Sequence, residues 1–288
     1  LAFSDLIVGV SNDAVNFLNS ALGSKVAPRY VIMIIASLGI LVGATFSGGM
    51  MEVARKGIFH PEYFYFSEII IIFLAVMIAD VILLDLYNTV GLPTSTTVSI
   101  VFELLGAAVA ISLTKMYDVG GDINDYINSA KALVIISSIL LSIVIAFTVG
   151  TVVQYLTRIL FTFDYQKYLK YLGSTWGATG ITAISYFILI KGAKGSSFIT
   201  AEVLDLIKVN SFFIIWVSFV CWVIVLQMII WFTQINILKI IVLIGTFALA
   251  MAFAGNDLVN FIGVPLAGFK SYQIFMASPE TDPSQFLM

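Results

Sequence analysis

A chain of 288 residues with 60% hydrophobic and 11% charged residues and a mean hydropathy of +1.05 is not a soluble globule, whose apolar share is about 45–50%. The formal charge of −3 is scattered through short loops, which excludes a nucleic-acid-binding face. Cys221 is the single cysteine, which excludes an intrachain disulfide.

A membrane-spanning helix takes about 20 largely apolar residues, and that rule predicts segments at 3–23, 30–52, 66–88, 131–158, 171–191, 209–233 and 236–254. The fold class is an all-α polytopic membrane protein. Open sheets leave backbone groups unpaired in lipid, and the alternation of barrel strands is absent.

The first segment contains Gly9-Val10-Ser11-Asn12-Asp13-Ala14-Val15-Asn16-Phe17, a carboxylate between carboxamides at membrane depth. Such a group is tolerated where it has a partner or faces a cavity, so Asp13 is a functional candidate. The polar run predicts a bent or unwound helix near Asn12. In the second segment Gly39 and Gly43, with Gly48 and Gly49, predict close helix packing. Glu52 precedes Arg55 and Lys56 at the spacing of a local ion pair. His60 reads as a surface residue.

The third segment carries Asp80 and Asp85. Five residues separate them, roughly 140° around a helix, so at least one is expected near the helix end. Gly91-Leu92-Pro93-Thr94-Ser95-Thr96-Thr97-Val98-Ser99 then predicts a helix start, with Ser or Thr as cap. One hydroxyl suffices for a cap. Four in succession point to an oxyanion site, where the helix dipole and free N–H groups favour negative charge. The apolar run to Leu113 is short for a span, so it is read as either a crossing or a re-entrant hairpin with the segment before it, and Glu103 inside it must be paired or face a cavity. Lys115–Asn128 reads as a solvated acidic loop. The stretch from Lys131 to Phe232 reads as scaffold, with Gly173, Gly177 and Gly180 at helix contacts and Lys191–Lys208 as a loop.

The motif of the first segment returns as Gly255-Asn256-Asp257-Leu258-Val259-Asn260-Phe261, at an offset of 244 (256 against 12). Five or seven crossings separate the copies. An odd number inverts the second copy relative to the first, the mark of a transporter built from inverted repeats. The domain plan is therefore a first repeat at 1–113, connecting helices at 114–235, and the start of a second repeat at 236–288.

The two Asn-Asp motifs, Gly91–Thr97 and Arg55-Lys56-Gly57-Ile58 together resemble the inorganic phosphate transporter (PiT) family. The resemblance implies a multi-pass protein of the cell membrane that imports phosphate with sodium, or with protons, as coupling ion and without a further cofactor. It implies phosphate ligands at Ser95, Thr96, Thr97, Asn16 and Asn260, and cation ligands at Asn12, Asp13, Asn256 and Asp257. A homodimer is an open assembly. The chain departs from the family at Val98, where members often carry His. The counterpart of Pro93 falls near 337 (93 plus 244), past Met288, so the second hydroxyl turn and both natural ends are expected to lie outside this sequence. The rival readings are a sulfate permease of the same fold and an ion channel. No metal-binding cluster or nucleophile–base pair points to an enzyme.

Overall fold

The computed structural model describes residues 1–45, 58–161, 165–195, 200–233 and 235–288. Glu52, Arg55, Lys56, Gly57, Gly48 and Gly49 lie outside them. Eleven α-helices occur among the described residues: α1 (Ala2–Gly23), α2 (Arg29–Thr45), α3 (Phe66–Val90), α4 (Thr96–Val119), α5 (Ile123–Tyr126), α6 (Ser129–Leu160), α7 (Tyr165–Gly195), α8 (Ala201–Val209), α9 (Ser211–Phe232), α10 (Ile237–Asn256) and α11 (Leu258–Ala277). The strand-like pairings described are two isolated bridges, Phe59 with Ile127 and Tyr65 with Leu287. Among the described residues five apolar runs are long enough to cross a membrane: Phe66–Val90, Thr96–Asp118, Ser129–Leu160, Ser211–Phe232 and Ile237–Ala277. At about 1.5 Å per residue, the 24 residues of α4 exceed the roughly 30 Å hydrocarbon core. The segment after Gly91 is thus a full-length helix.

Two compact units divide the chain. One comprises Leu1–Asn16, Gly49–Ser142 and Asn256–Met288; the other comprises Phe17–Gly48 and Ile143–Gly255. In the first, α3 packs on α4 and both pack on α11. Their shared core includes Ile69, Ile72, Val76, Leu104, Ala108 and Val264. These residues come from helices apolar on nearly every side, so burial rather than an amphipathic stripe selects the packed face. The final segment closes one end of this unit. Phe66 stacks on Phe275 at 4.6 Å between ring centroids, and the Phe66 and Ser67 amides donate to the carbonyls of Phe286 and Pro283.

In the second unit α7 packs along α9, around Ala178, Ile181, Leu226 and Ile237. Gly43 and Gly39 fulfil the packing expectation there. A Cβ on Gly43 would strike the Met251 carbonyl and Ala254, and one on Gly39 the Phe247 carbonyl, so only a missing side chain lets the backbones approach. Gly177 likewise sits against Leu226 and Ile241, whereas Gly180 faces open space and makes no such contact.

Several other sequence expectations fail: the segments expected at 3–23, 30–52 and 171–191 are not among the membrane-length runs of the described residues, α2 being only 17 residues long there. α1 is unbroken through Asn12: Ser11 Oγ donates back to the Ile7 carbonyl at 2.7 Å, and the Asn12 carboxamide finds partners on other elements, so the backbone need not open. The second motif does break, with Asp257 between α10 and α11. The polar stretch 191–208 is not a continuous loop, because α7 extends to Gly195 and α8 forms from Ala201, where Lys208 pairs with Asp205 at 3.0 Å and i,i+3 spacing. The acidic loop 115–128 is shortened by the extension of α4 to Val119 and by the single turn of α5, which Asp122 caps; its carboxylates are exposed.

Lys115 anchors that end of the first unit. Its Nζ lies 2.8 Å from Glu68 Oε2, donates to the Tyr63 carbonyl at 2.7 Å, and sits 4.3 Å from the Tyr65 ring centroid. Glu68 in turn accepts from the Tyr65 amide at 2.7 Å. Replacing Lys115 by Met leaves a mostly buried carboxylate without its cation. Lys115→Met is expected to cost about 2–3 kcal/mol, read as a lowered unfolding midpoint in detergent, and Glu68→Gln in the same background should restore part of the loss.

Candidate functional site

The site is built around the turn from α3 into α4, inside the first unit. Gly91 adopts φ +75°, ψ +29° and ends α3 in a left-handed cap, donating to the Asn88 carbonyl. A side chain is disfavoured in that conformation. Pro93 follows, and Ser95 caps α4, its hydroxyl accepting from the Val98 amide. Sequence spacing anticipated this helix start.

The turn is held in place by Asn12. Its Nδ2 donates to Asn88 Oδ1 at 2.9 Å and to the Leu92 carbonyl at 3.2 Å, and its Oδ1 accepts from the Thr94 amide at 2.8 Å. Asn88 Nδ2 closes the ring by donating to the Val8 carbonyl at 3.0 Å. One carboxamide on α1 thus supplies the hydrogen bonds that an irregular backbone lacks in a low-dielectric interior. Asn88 went unnoticed in the sequence, where its only signal was a carboxamide at the end of an apolar helix.

The second Asn-Asp motif meets the same turn. Thr97 Oγ1 donates to Asp257 Oδ1 at 2.8 Å, and Asn260 Nδ2 donates to Thr97 Oγ1 at 2.9 Å. Residues 160 and 163 positions apart therefore form one chain of hydrogen bonds. Asp13 is 5% exposed and Asp257 9%, and the two carboxylates lie within electrostatic range of one another. Gly9 opens the space between the motifs, since a Cβ there would collide with the Phe261 ring.

The other expected ligands are distributed unevenly. Thr96 is buried, and its hydroxyl has no partner. Ser95 and Asn16 are exposed, and Asn260 is half-buried. Asn256 ends α10, and its side chain lies outside the described set. A cavity of about 470 Å³ opens beside the turn, with Ser11, Asn12, Asp85, Asn88 and Pro93 on its wall. Asp85, in the last turn and a half of α3, is exposed, while Asp80, about one and a half turns earlier, is fully buried. Among the described residues no three His, Cys, Asp or Glu side chains converge as a multivalent metal site would require.

One Asn-Asp motif thus fixes a polar turn, and the second is hydrogen-bonded to it. The profile of the phosphate transporter family matches residues 9–287. The chain belongs to the phosphate transporter family. A "putative phosphate permease" of Thermococcus kodakarensis is 31% identical over 101 residues, which cover 34% of this chain and 25% of that protein. The matched stretch thus spans about a quarter of the curated relative's length. A solved structure titled "The sodium-dependent phosphate transporter" superposes with a TM-score of 0.72 at 18% identity, covering 98% of this chain and 69% of that one. At that identity the likeness establishes a shared phosphate-transporter fold.

Removing the Asn12 clasp tests this construction. Asn12→Ala is expected to speed hydrogen–deuterium exchange at residues 92–97 while leaving the exchange of α11 unchanged, and to lower stability by about 1–3 kcal/mol.

Proposed function

We propose that the chain forms part of a secondary transporter that imports inorganic phosphate together with sodium. The observation that carries this reading is the Asp257–Thr97–Asn260 chain of hydrogen bonds beside Asp13. It gathers acidic oxygen donors suited to a hard monovalent cation next to a helix N-terminus rich in hydroxyls. The match of nearly the whole chain to the family profile supports the same reading.

Asp13 and Asp257 carry the cation, with Asn256 as a further oxygen ligand. Cation binding neutralises carboxylates that would otherwise repel an oxyanion. Phosphate then docks at the start of α4, where the N-terminal dipole, Ser95, Thr97 and the buried Thr96 hydroxyl attract it. Asn260 and Asn16 complete the anion's shell. Asn12 keeps one lone pair of Oδ1 for the cation and uses the rest of its carboxamide to hold the turn. Cation and anion together cross a low-dielectric interior at lower cost than either alone.

The two motif copies belong to inverted repeats, 1–113 and the part beginning at 236, joined by connecting helices at 114–235. Rocking of one repeat against the other exposes the site to each side of the cell membrane alternately. Phosphate at neutral pH still carries an O–H donor, which the motif carboxylates can accept; sulfate has none.

Uptake of labelled phosphate into vesicles carrying the full-length protein tests the reading. An inward sodium gradient is expected to drive accumulation that excess sulfate leaves intact, and Asp13→Asn is expected to abolish it. Full sodium-driven uptake by a folded Asp13→Asn protein would overturn the proposal, and competition by sulfate would move the substrate to that anion. Thr97→Val removes the link to Asp257 and a hydroxyl from the anion site, so phosphate affinity should fall by about tenfold or more.

A further inference from the structure

A second group of carboxyls lies in the first unit, apart from the hydroxyl turn. Asp5 on α1 is 1% exposed and Asp80 on α3 is 0% exposed. Both oxygens of Asp80, both of Glu103 on α4 and Oδ1 of Asp5 are buried without a hydrogen-bond donor. Asp5 and Asp80 nevertheless stand close enough to hydrogen-bond to each other, and Glu103 lies within electrostatic range of Asp80 and of Asp5. Two carboxylates are acceptors only. Their contact becomes a hydrogen bond when one of them carries a proton.

Among the described residues no cation settles these charges. The ion pairs among the described residues involve Glu62, Glu68 and Asp205, none of the three carboxyls here. Among the described residues, the charged groups acting on the cluster are its own members, Asp13 from α1 acting on Asp80, and the amino group of Leu1 acting on Asp5, with no Lys or Arg of α3, α4 or α11 among them. The three groups do not converge as ligands of a multivalent ion. Like charges in contact within a low-dielectric interior cannot all remain ionised, and buried acidic residues that pair with each other in membrane helices mark proton paths.

We propose that Asp5 on α1, Asp80 on α3 and Glu103 on α4 share an exchangeable proton, forming a second ion site that makes phosphate transport sensitive to pH. As a coupling device it rests on the transport reading above; as a proton site it does not. The proton lies in an O–H···O⁻ bridge between Asp5 and Asp80, and Glu103 is its acceptor when the bridge opens. No bond other than O–H forms or breaks, and the proton passes to water in the exposed state.

Infrared spectroscopy of the full-length protein in lipid tests the site without any transport. At neutral pH the wild type is expected to show a buried carboxylic-acid carbonyl band that shifts in D2O, with loss of that band in Asp80→Asn, which mimics the protonated form in shape and charge. Glu103→Gln gives a second reading at a less deeply buried position and should shift the band. If neither variant alters the carboxylic-acid region, the proton site is wrong. In vesicles, sodium-driven phosphate uptake by Asp80→Asn or Glu103→Gln is expected to lose its pH dependence while Asp13→Asn loses uptake altogether. Retention of the wild-type pH profile in both cluster variants overturns the coupling role alone; retention of uptake in Asp13→Asn overturns the transport reading and leaves the infrared result standing.

Discussion

The hydrogen-bonded turn between α3 and α4 is the constraint on which the rest of the first unit depends. Backbone that leaves helical geometry inside an apolar bundle must find partners or incur the cost of unsatisfied groups. Asn12 provides them for Leu92 and Thr94, and Gly91 supplies the left-handed cap that ends α3. With the turn fixed, the N-terminus of α4 and its hydroxyls acquire a defined position.

The same constraint explains why the two Asn-Asp motifs differ in form. In the first copy α1 stays continuous, because Asn12 reaches across to the turn with its side chain and leaves the helix backbone intact. In the second copy the helix breaks at Asp257, and the side chains of Asp257 and Asn260 converge on Thr97. One motif therefore positions the turn, and the other joins its hydroxyl chemistry. Similar sequences perform different mechanical tasks because their neighbours differ.

Buried acidity is concentrated in this unit. Asp5, Asp13, Asp80 and Asp257 are all buried, while the described carboxylates at the α4–α5 connection are exposed. The ordinary solution for a buried carboxylate appears at Glu68, which pairs with Lys115 and the Tyr65 amide. Asp5 and Asp80 have no such lysine among the described residues. Groups left this way in an apolar bundle are suited to mobile cations, whether a metal ion or a proton.

Composition, segment length and the repeated motif were enough to read an all-α membrane protein, the helix start at Ser95 and the glycine contacts at Gly39 and Gly43, because these depend on hydropathy, capping and local sterics. Tertiary structure decided the rest. Whether α1 bends depended on partners for Asn12 some 76 to 82 positions away, and the meeting of Thr97 with Asp257 on a contact 160 positions long. Sequence spacing also could not reveal that Asp80 would face Asp5 while Asp85 reached the surface. Such choices follow from which helix faces pack together, and in helices apolar on almost every side the sequence carries no stripe to specify that face.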